Sequence, residues 1–257
     1  MQYGISTACF YPQETLESVR LLSKSHVSCC EIFLNTASEL EPSYVRKMKE
    51  AAKETGMRIL SVHPYTCAFE PFMLFTNYPR RFQDGIEYHK QYFEMMNVLG
   101  AEIFVFHGDR KQGPLDDREY YERFAVLRDL GKTFGITVAQ ENVERCKSRS
   151  VSFLSEMCRY LDGDVRFVFD NKQALRSGVD PVSFVRQFGR QICHVHISDS
   201  TSDCDCCAIE KGSTYVKETM NALRAVGYDG GVIVELYRDL LKSEAEIFSS
   251  HENLKLL

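Results

Sequence analysis

Residues 192–199 read ICHVHISD, an apolar run that carries His194 and His196 two positions apart and ends on Ser198 and Asp199. Side chains two apart on a strand point the same way, so both imidazoles can line one site. Other short apolar runs end on similar chemistry: Glu31, His63, His107, Glu141, Asp170, His196 with Asp199, and Glu235. Asp, Asn or Ser at such an end often caps the next helix, but capping calls for neither His nor Glu. Carboxylates crowded into one place raise one another's pKa or repel unless a cation holds them. Glu141, Asp170, His196 and Glu235 together make a three-carboxylate, one-imidazole set. That oxygen-rich set suits Mn²⁺, Co²⁺ or Mg²⁺ at least as well as Zn²⁺.

To act together, these residues need elements that deliver strand ends to one place. Eight β-branched or aromatic runs serve: 3–10, 28–34, 58–65, 101–108, 137–143, 165–171, 192–199 and 231–237. Helical patterns alternate with them, such as 43–56, with Gly56 placed as a stop, and 215–227, which ends on Gly227. Pro181 after Asp180 marks a helix start, where a missing N–H costs nothing. Strict strand–helix alternation predicts an α/β chain of parallel strands with helical crossovers, and eight units fit a closed (β/α)8 barrel. A doubly wound open sheet is the alternative, but no G-x-G-x-x-G turn follows the first strand, where Gly4 stands alone. At 257 residues, with no linker, the chain reads as one barrel domain over 1–257. In such a barrel the chemistry collects at the C-terminal ends of the strands.

These features resemble the xylose isomerase-like TIM barrels, a family of sugar phosphate isomerases and epimerases related to endonuclease IV. The resemblance spans the chain: EIFL, SVHPY, FHGD, QENV, FDNKQA, HVHISD and GYDGGVIVELY stand in order at the second to eighth strands. It implies that Glu141, Asp170, His196 and Glu235 are metal ligands and that Glu141 and Glu235 also face the substrate. It implies that His63 and His107 contact substrate or, as in the endonuclease, bind further zinc ions, while Glu144 lies near an acid that contacts the sugar and Gly212 matches a loop glycine after the seventh strand. The chain departs from the family pattern at Asp-x-x-His, where Asp170 is followed by Asn171, Lys172 and Gln173. Gln173 can hydrogen-bond a hydroxyl but is neither a cationic donor nor a good metal ligand.

Charge and composition narrow the alternatives. A net charge of −5 with dispersed Lys and Arg gives no footprint for nucleic acid. No apolar run approaches the length of a membrane helix. The N-terminus lacks a basic region followed by an apolar stretch, so a cytoplasmic location is expected. Cys29, Cys30 and Cys193 sit in apolar runs as reduced thiols. Cys204, Cys206 and Cys207 lack the paired C-x-x-C arrangement, with a second pair nearby, of a structural zinc site. Lys147, Lys172, Arg176 and Lys211 flank the expected mouth, yet charged loop residues are usually solvated and no phosphate-cradling glycine loop accompanies them.

The favoured reading is a metal-dependent isomerase or epimerase of a small polyhydroxy carbonyl substrate, a sugar or sugar phosphate. The metal would polarise the carbonyl and hold the enediolate left when a carboxylate takes the neighbouring proton. Glu141 and Glu235 would act as base on one face and acid on the other. A dehydratase of inosose-type ketones would use nearly the same residues. An endonuclease IV-like phosphodiesterase needs further ligands, yet Gln173 replaces one histidine and residues 200–212 contain none. A non-catalytic sugar-binding relative has only that lost histidine in its favour. Glu31 reads as support for neighbouring strand ends and His194 as an interior residue below His196. Nothing opposes a homo-oligomer.

Overall fold

The computed structural model describes residues 1–210 and 213–257. The expectations for Lys211 and Gly212 lie outside the described residues. Eight strands run β1 (Gln2–Ser6), β2 (Cys29–Phe33), β3 (Arg58–His63), β4 (Ile103–Phe106), β5 (Thr137–Glu141), β6 (Arg166–Asp170), β7 (Ile192–Ile197) and β8 (Gly231–Val234). They pair in sequence order, and β1 closes onto β8 in parallel register from Gln2↔Gly231 to Ile5↔Val234. Closure removes the open-sheet alternative. Around the barrel lie α1 (Thr15–Lys24), α2 (Pro42–Lys53), α3 (Glu70–Met73), α4 (Pro79–Leu99), α5 (Asp117–Thr133), α6 (Val151–Tyr160), α7 (Asn171–Arg176), α8 (Pro181–Phe188), α9 (Thr214–Ala225) and α10 (Ala245–Leu256).

Local chemistry sets the helix boundaries. Pro181 opens α8 under an Asp180 cap that accepts from the Ser183 amide at 2.8 Å. Asp116 and Glu119 form a capping box at the start of α5. Asp170 both ends β6 and caps α7, its Oδ1 accepting from the Gln173 amide at 2.9 Å. Gly56 and Gly227 fall beyond α2 and α9 at φ of 77° and 76°, a left-handed turn that a side chain would strain.

Alternation along the strands sorts the two sides of the barrel wall. On β7, Val195 and Ile197 join the large core between barrel and helices, with partners such as Phe167, Phe169 and Val232. His194 and His196 take the other parity and face inward, both fully buried. A separate small cluster of Val105, Ala139 and Val168 fills the interior. Each stands two residues before His107, Glu141 or Asp170, hence one step deeper on the same face. The strands are shorter than the apolar runs, and His107 and Glu235 lie just past β4 and β8, where the chain leaves the ladder to turn outward.

Closure leaves little room at β1. A Cβ on Gly4 would lie 2.4 Å from the Cys29 carbonyl oxygen and 2.8 Å from Ile233 Cδ1. Gly4→Ala is expected to cost about 1–3 kcal/mol through overpacking, read from the urea unfolding midpoint. An unchanged midpoint would show that β1 can shift to admit a methyl.

Candidate active site

Four strand ends bring Glu141, Asp170, His196 and Glu235 together, with one donor atom of each within 4.8 Å of the others. The register sets Asp170 directly beside His196. His196 Nδ1 lies 3.4 Å from Glu141 Oε1 and 3.7 Å from Glu235 Oε2, and it makes no hydrogen bond. All four residues are at least nine-tenths buried, Glu235 being 8% exposed.

Glu31 holds this arrangement from below. Its carboxylate is completely buried, and Oε2 accepts from His196 Nε2 at 2.9 Å, His194 Nε2 at 3.1 Å and Ser61 Oγ at 2.8 Å. Oε1 accepts from Ser6 Oγ at 3.2 Å. Ser6, Glu31 and Ser61 are register neighbours across β1, β2 and β3, and His194 and His196 both lie on β7, so one carboxylate collects four donors from three other strands. Burial works against its charge, but His196 and His194 outweigh this and hold the carboxyl well below the usual range. The bond to Glu31 keeps a proton on His196 Nε2, so in the neutral ring Nδ1 is the free donor atom.

A second group lines the other side of Glu141. Arg145 Nη2 donates to His107 Nδ1 at 3.1 Å. A guanidinium cannot accept, so in the neutral ring the His107 proton sits on Nε2; burial opposes a charge on the ring, but Cys67 and Glu141 outweigh this and hold the imidazole well above its ordinary range. His107 Nε2 is 2.9 Å from His63 Nε2 and 2.7 Å from Glu141 Oε2, the latter outside hydrogen-bonding geometry. Burial, reinforced by His107, pushes His63 down to about 4 and keeps it neutral. Cys67 belongs here too, its sulfur gathered with donor atoms of His63 and His107 within 4.8 Å. Burial raises the thiol, but His107 and Arg145 reverse this and bring it below its ordinary value. Sequence reasoning missed Cys67, although its place four residues after His63 was the available signal.

Residues expected at the rim divide. Glu144 is half-buried and pairs with Lys111 and, at 3.9 Å, with Arg149, rather than with the four-residue cluster. Gln173 Oε1 accepts from the Glu144 amide at 2.9 Å, so its carbonyl braces the loop after β5. Arg176 is held by Asp205 at 2.5 and 2.9 Å and by the Tyr237 hydroxyl at 3.0 Å. Lys147 pairs with Asp117 at 2.7 Å. Lys172 corrects the expectation of a solvated charge. It is 2% exposed, and its Nζ donates to Asp170 Oδ2 at 2.5 Å and Glu235 Oε2 at 3.0 Å. The early start of α7 turns Lys172 into the barrel mouth.

The donors fit a divalent ion. The unpartnered His196 Nδ1 is a buried polar atom aimed into the cluster, between Glu141 Oε1 and Glu235 Oε2, and such an atom costs free energy unless a partner arrives. Burial opposes a charge on Glu141, but His107 and His196 draw its carboxyl well below the usual range. Asp170 goes the other way. Burial pushes it up to about 6 against the pull of Lys172, with Glu235 and Glu141 adding to the rise. Beside Glu235 an open cavity of about 360 Å³ is walled by Tyr11, Phe33, Asn35 and Tyr237. Its size suits a small ligand.

Comparison with known proteins bears on this geometry. The model of the family described as xylose isomerase-like TIM barrel matches residues 19–256. Among curated proteins none matches. Solved structures similar to this chain include a D-tagatose 3-epimerase-like protein, at 19% identity and TM-score 0.82 over 100% of this chain and 96% of that one. The IOLI protein, solved with a zinc atom, shares 19% identity at TM-score 0.78 over 100% of this chain and 96% of its own. The probable 3-DHS dehydratase AsbF of Bacillus anthracis shares 16% at TM-score 0.76 over 100% and 98%.

The Glu31 contacts carry a direct test. Glu31→Gln replaces an acceptor-only group with an amide that presents N–H to at least one existing donor. Breaking this buried charged cluster is expected to cost about 3–5 kcal/mol, measured by chemical denaturation of chelator-treated protein. Wild-type stability in the variant would mean that the hydroxyls and imidazoles are satisfied without a carboxylate.

Proposed function

The chain belongs to the xylose isomerase-like TIM barrel family, and on that premise we propose that it is a divalent-metal-dependent isomerase or epimerase of a small polyhydroxy carbonyl compound, a sugar or sugar phosphate. The observation that carries this reading is the convergence of Glu141, Asp170, His196 and Glu235 around the unpartnered Nδ1 of His196. These four residues would hold the ion. When bound, it supplies a Lewis-acid contact for the substrate's carbonyl oxygen and adjacent hydroxyl, which acidifies the neighbouring C–H.

The chain's own groups supply the rest. Glu141 and Glu235 come from separate strands, so one carboxylate removes the proton and the other can return it on the opposite face. Burial opposes charge on both, but the imidazoles beside Glu141 and Lys172 beside Glu235 hold both carboxyls below the usual range, so either can serve as the base. Glu235 has Lys172 at 3.0 Å, which steadies its charge. His107, with its proton on Nε2, is placed to donate to a substrate oxygen near Glu141, and His63 backs it. Tyr11, Phe33 and Tyr237 offer ring faces to the carbons of a polyol, while Asn35 offers hydrogen bonds. Buried side chains close the floor and keep bulk water from the reacting carbon.

A second reading, loss of water from a cyclic hydroxy ketone, begins with the same proton removal and finds favour in the likeness to a probable dehydratase. The products separate the two: an epimer or isomer keeps the substrate's mass, whereas a dehydratase product loses one water.

Glu141→Gln and Glu235→Gln are each expected to lower turnover of a screened ketose or inosose by at least about 10²–10⁴-fold, with far-UV circular dichroism unchanged. Chelation should remove activity and added Mn²⁺ restore it; full activity in exhaustively chelated protein would refute the metal requirement. In D₂O, solvent deuterium is expected at the carbon next to the carbonyl. Clean retention of the original hydrogen in active enzyme would replace proton abstraction by a hydride shift.

A further inference from the structure

The metal reading leaves Lys172 unexplained. It follows Asp170 by two residues, in the first turn of the helix that Asp170 caps. Asp170 Oδ1 is committed to the Gln173 amide, so Oδ2 is the oxygen left for the site. Lys172 Nζ occupies that oxygen at 2.5 Å and Glu235 Oε2 at 3.0 Å. The same Glu235 oxygen stands 3.7 Å from His196 Nδ1, on the side where the four donors converge. The ammonium also lies 5.3 Å from the centre of the Tyr237 ring, which Arg176 holds from outside. A lysine so deeply buried needs partners, and its partners here are two of the four candidate metal ligands.

We infer that Lys172 is a built-in cation that holds Asp170 and Glu235 together in the metal-free protein and competes with the divalent ion for them. The inference rests on the metal reading above and adds to it what this chain does before the ion arrives. Without an ion, the carboxylates of the mouth repel and lack water, and a tethered ammonium offsets part of their charge. With an ion, the ammonium and a doubly charged cation would share the same two oxygens at short range, where like charges repel strongly. Metal entry must therefore break two Lys172 contacts. The flexible four-carbon stem lets Nζ withdraw along the Tyr237 face without moving α7. Lys172 thus weakens metal binding while keeping the empty site assembled.

The test compares wild type, Lys172→Met and Lys172→Gln after chelation, by calorimetric titration with Mn²⁺ and by thermal unfolding with and without Mn²⁺. Both variants are expected to bind Mn²⁺ at least about tenfold more tightly than wild type, a difference of about 1.4 kcal/mol. Their metal-free midpoints should fall, and Mn²⁺ should raise them by more than it raises wild type. A variant that is unfolded without metal and folds on Mn²⁺ addition supports the inference equally. Measurable binding with equal or weaker affinity in both variants overturns it and leaves the metal reading standing. Binding by none of the three proteins overturns both.

Discussion

Putting four carboxylates into one dry space is the constraint to which the rest of this barrel answers. Glu31, Glu141, Asp170 and Glu235 are all buried. In a low-dielectric interior such groups ionise only where positive charge or hydrogen-bond donors meet them. The structure meets each one differently. Glu31 is satisfied by two imidazoles and two hydroxyls. Glu141 has imidazoles on either side. Asp170 and Glu235 share Lys172. What stays unpartnered at the common centre is His196 Nδ1. A divalent ion there would complete a compensation that the side chains carry most of the way.

The polar floor depends in turn on the apolar wall. Val105, Ala139 and Val168 pack inside the barrel one step below the mouth, and Glu31, Ser61 and His194 are fully buried beside them. The outward residues of the same strands pack against the helices and fix the strand positions that set distances between acids. Orientation comes from the layer between. The bond from His196 to Glu31 settles which nitrogen faces the mouth, the role that an outer carboxylate plays for metal-bound histidines generally. The Arg145–His107–His63 chain does the same for the imidazoles on the far side of Glu141.

This division of labour explains how neighbouring residues take different roles. Asp170 and Lys172 come from one short segment, yet one is anchored by its own helix and the other swings back across the cap. Gln173, three residues after Asp170, turns its carbonyl to the Glu144 backbone. That wall therefore carries a lysine inside and an amide at the rim.

Much of this was legible in the sequence because its signals are local. Alternation on β7 assigned His194 and His196 to the face opposite Val195 and Ile197, and strand–helix repetition led to a closed barrel with Glu141, Asp170 and Glu235 at its mouth. Both follow from backbone geometry, which depends only on neighbouring residues. Sequence could not say that Glu31 would gather donors from three other strands, since those contacts join residues as far apart as Glu31 and His196 and exist only once β1 closes on β8. Nor could it place Lys172, whose type suggests solvent but whose two partners are set beside it by α7 and β8. Cys67, Gln173 and Glu144 belong to the same class. Periodicity determines which side of the wall a residue occupies; only the closed barrel decides which charges meet, because that depends on distances between strands far apart in the chain.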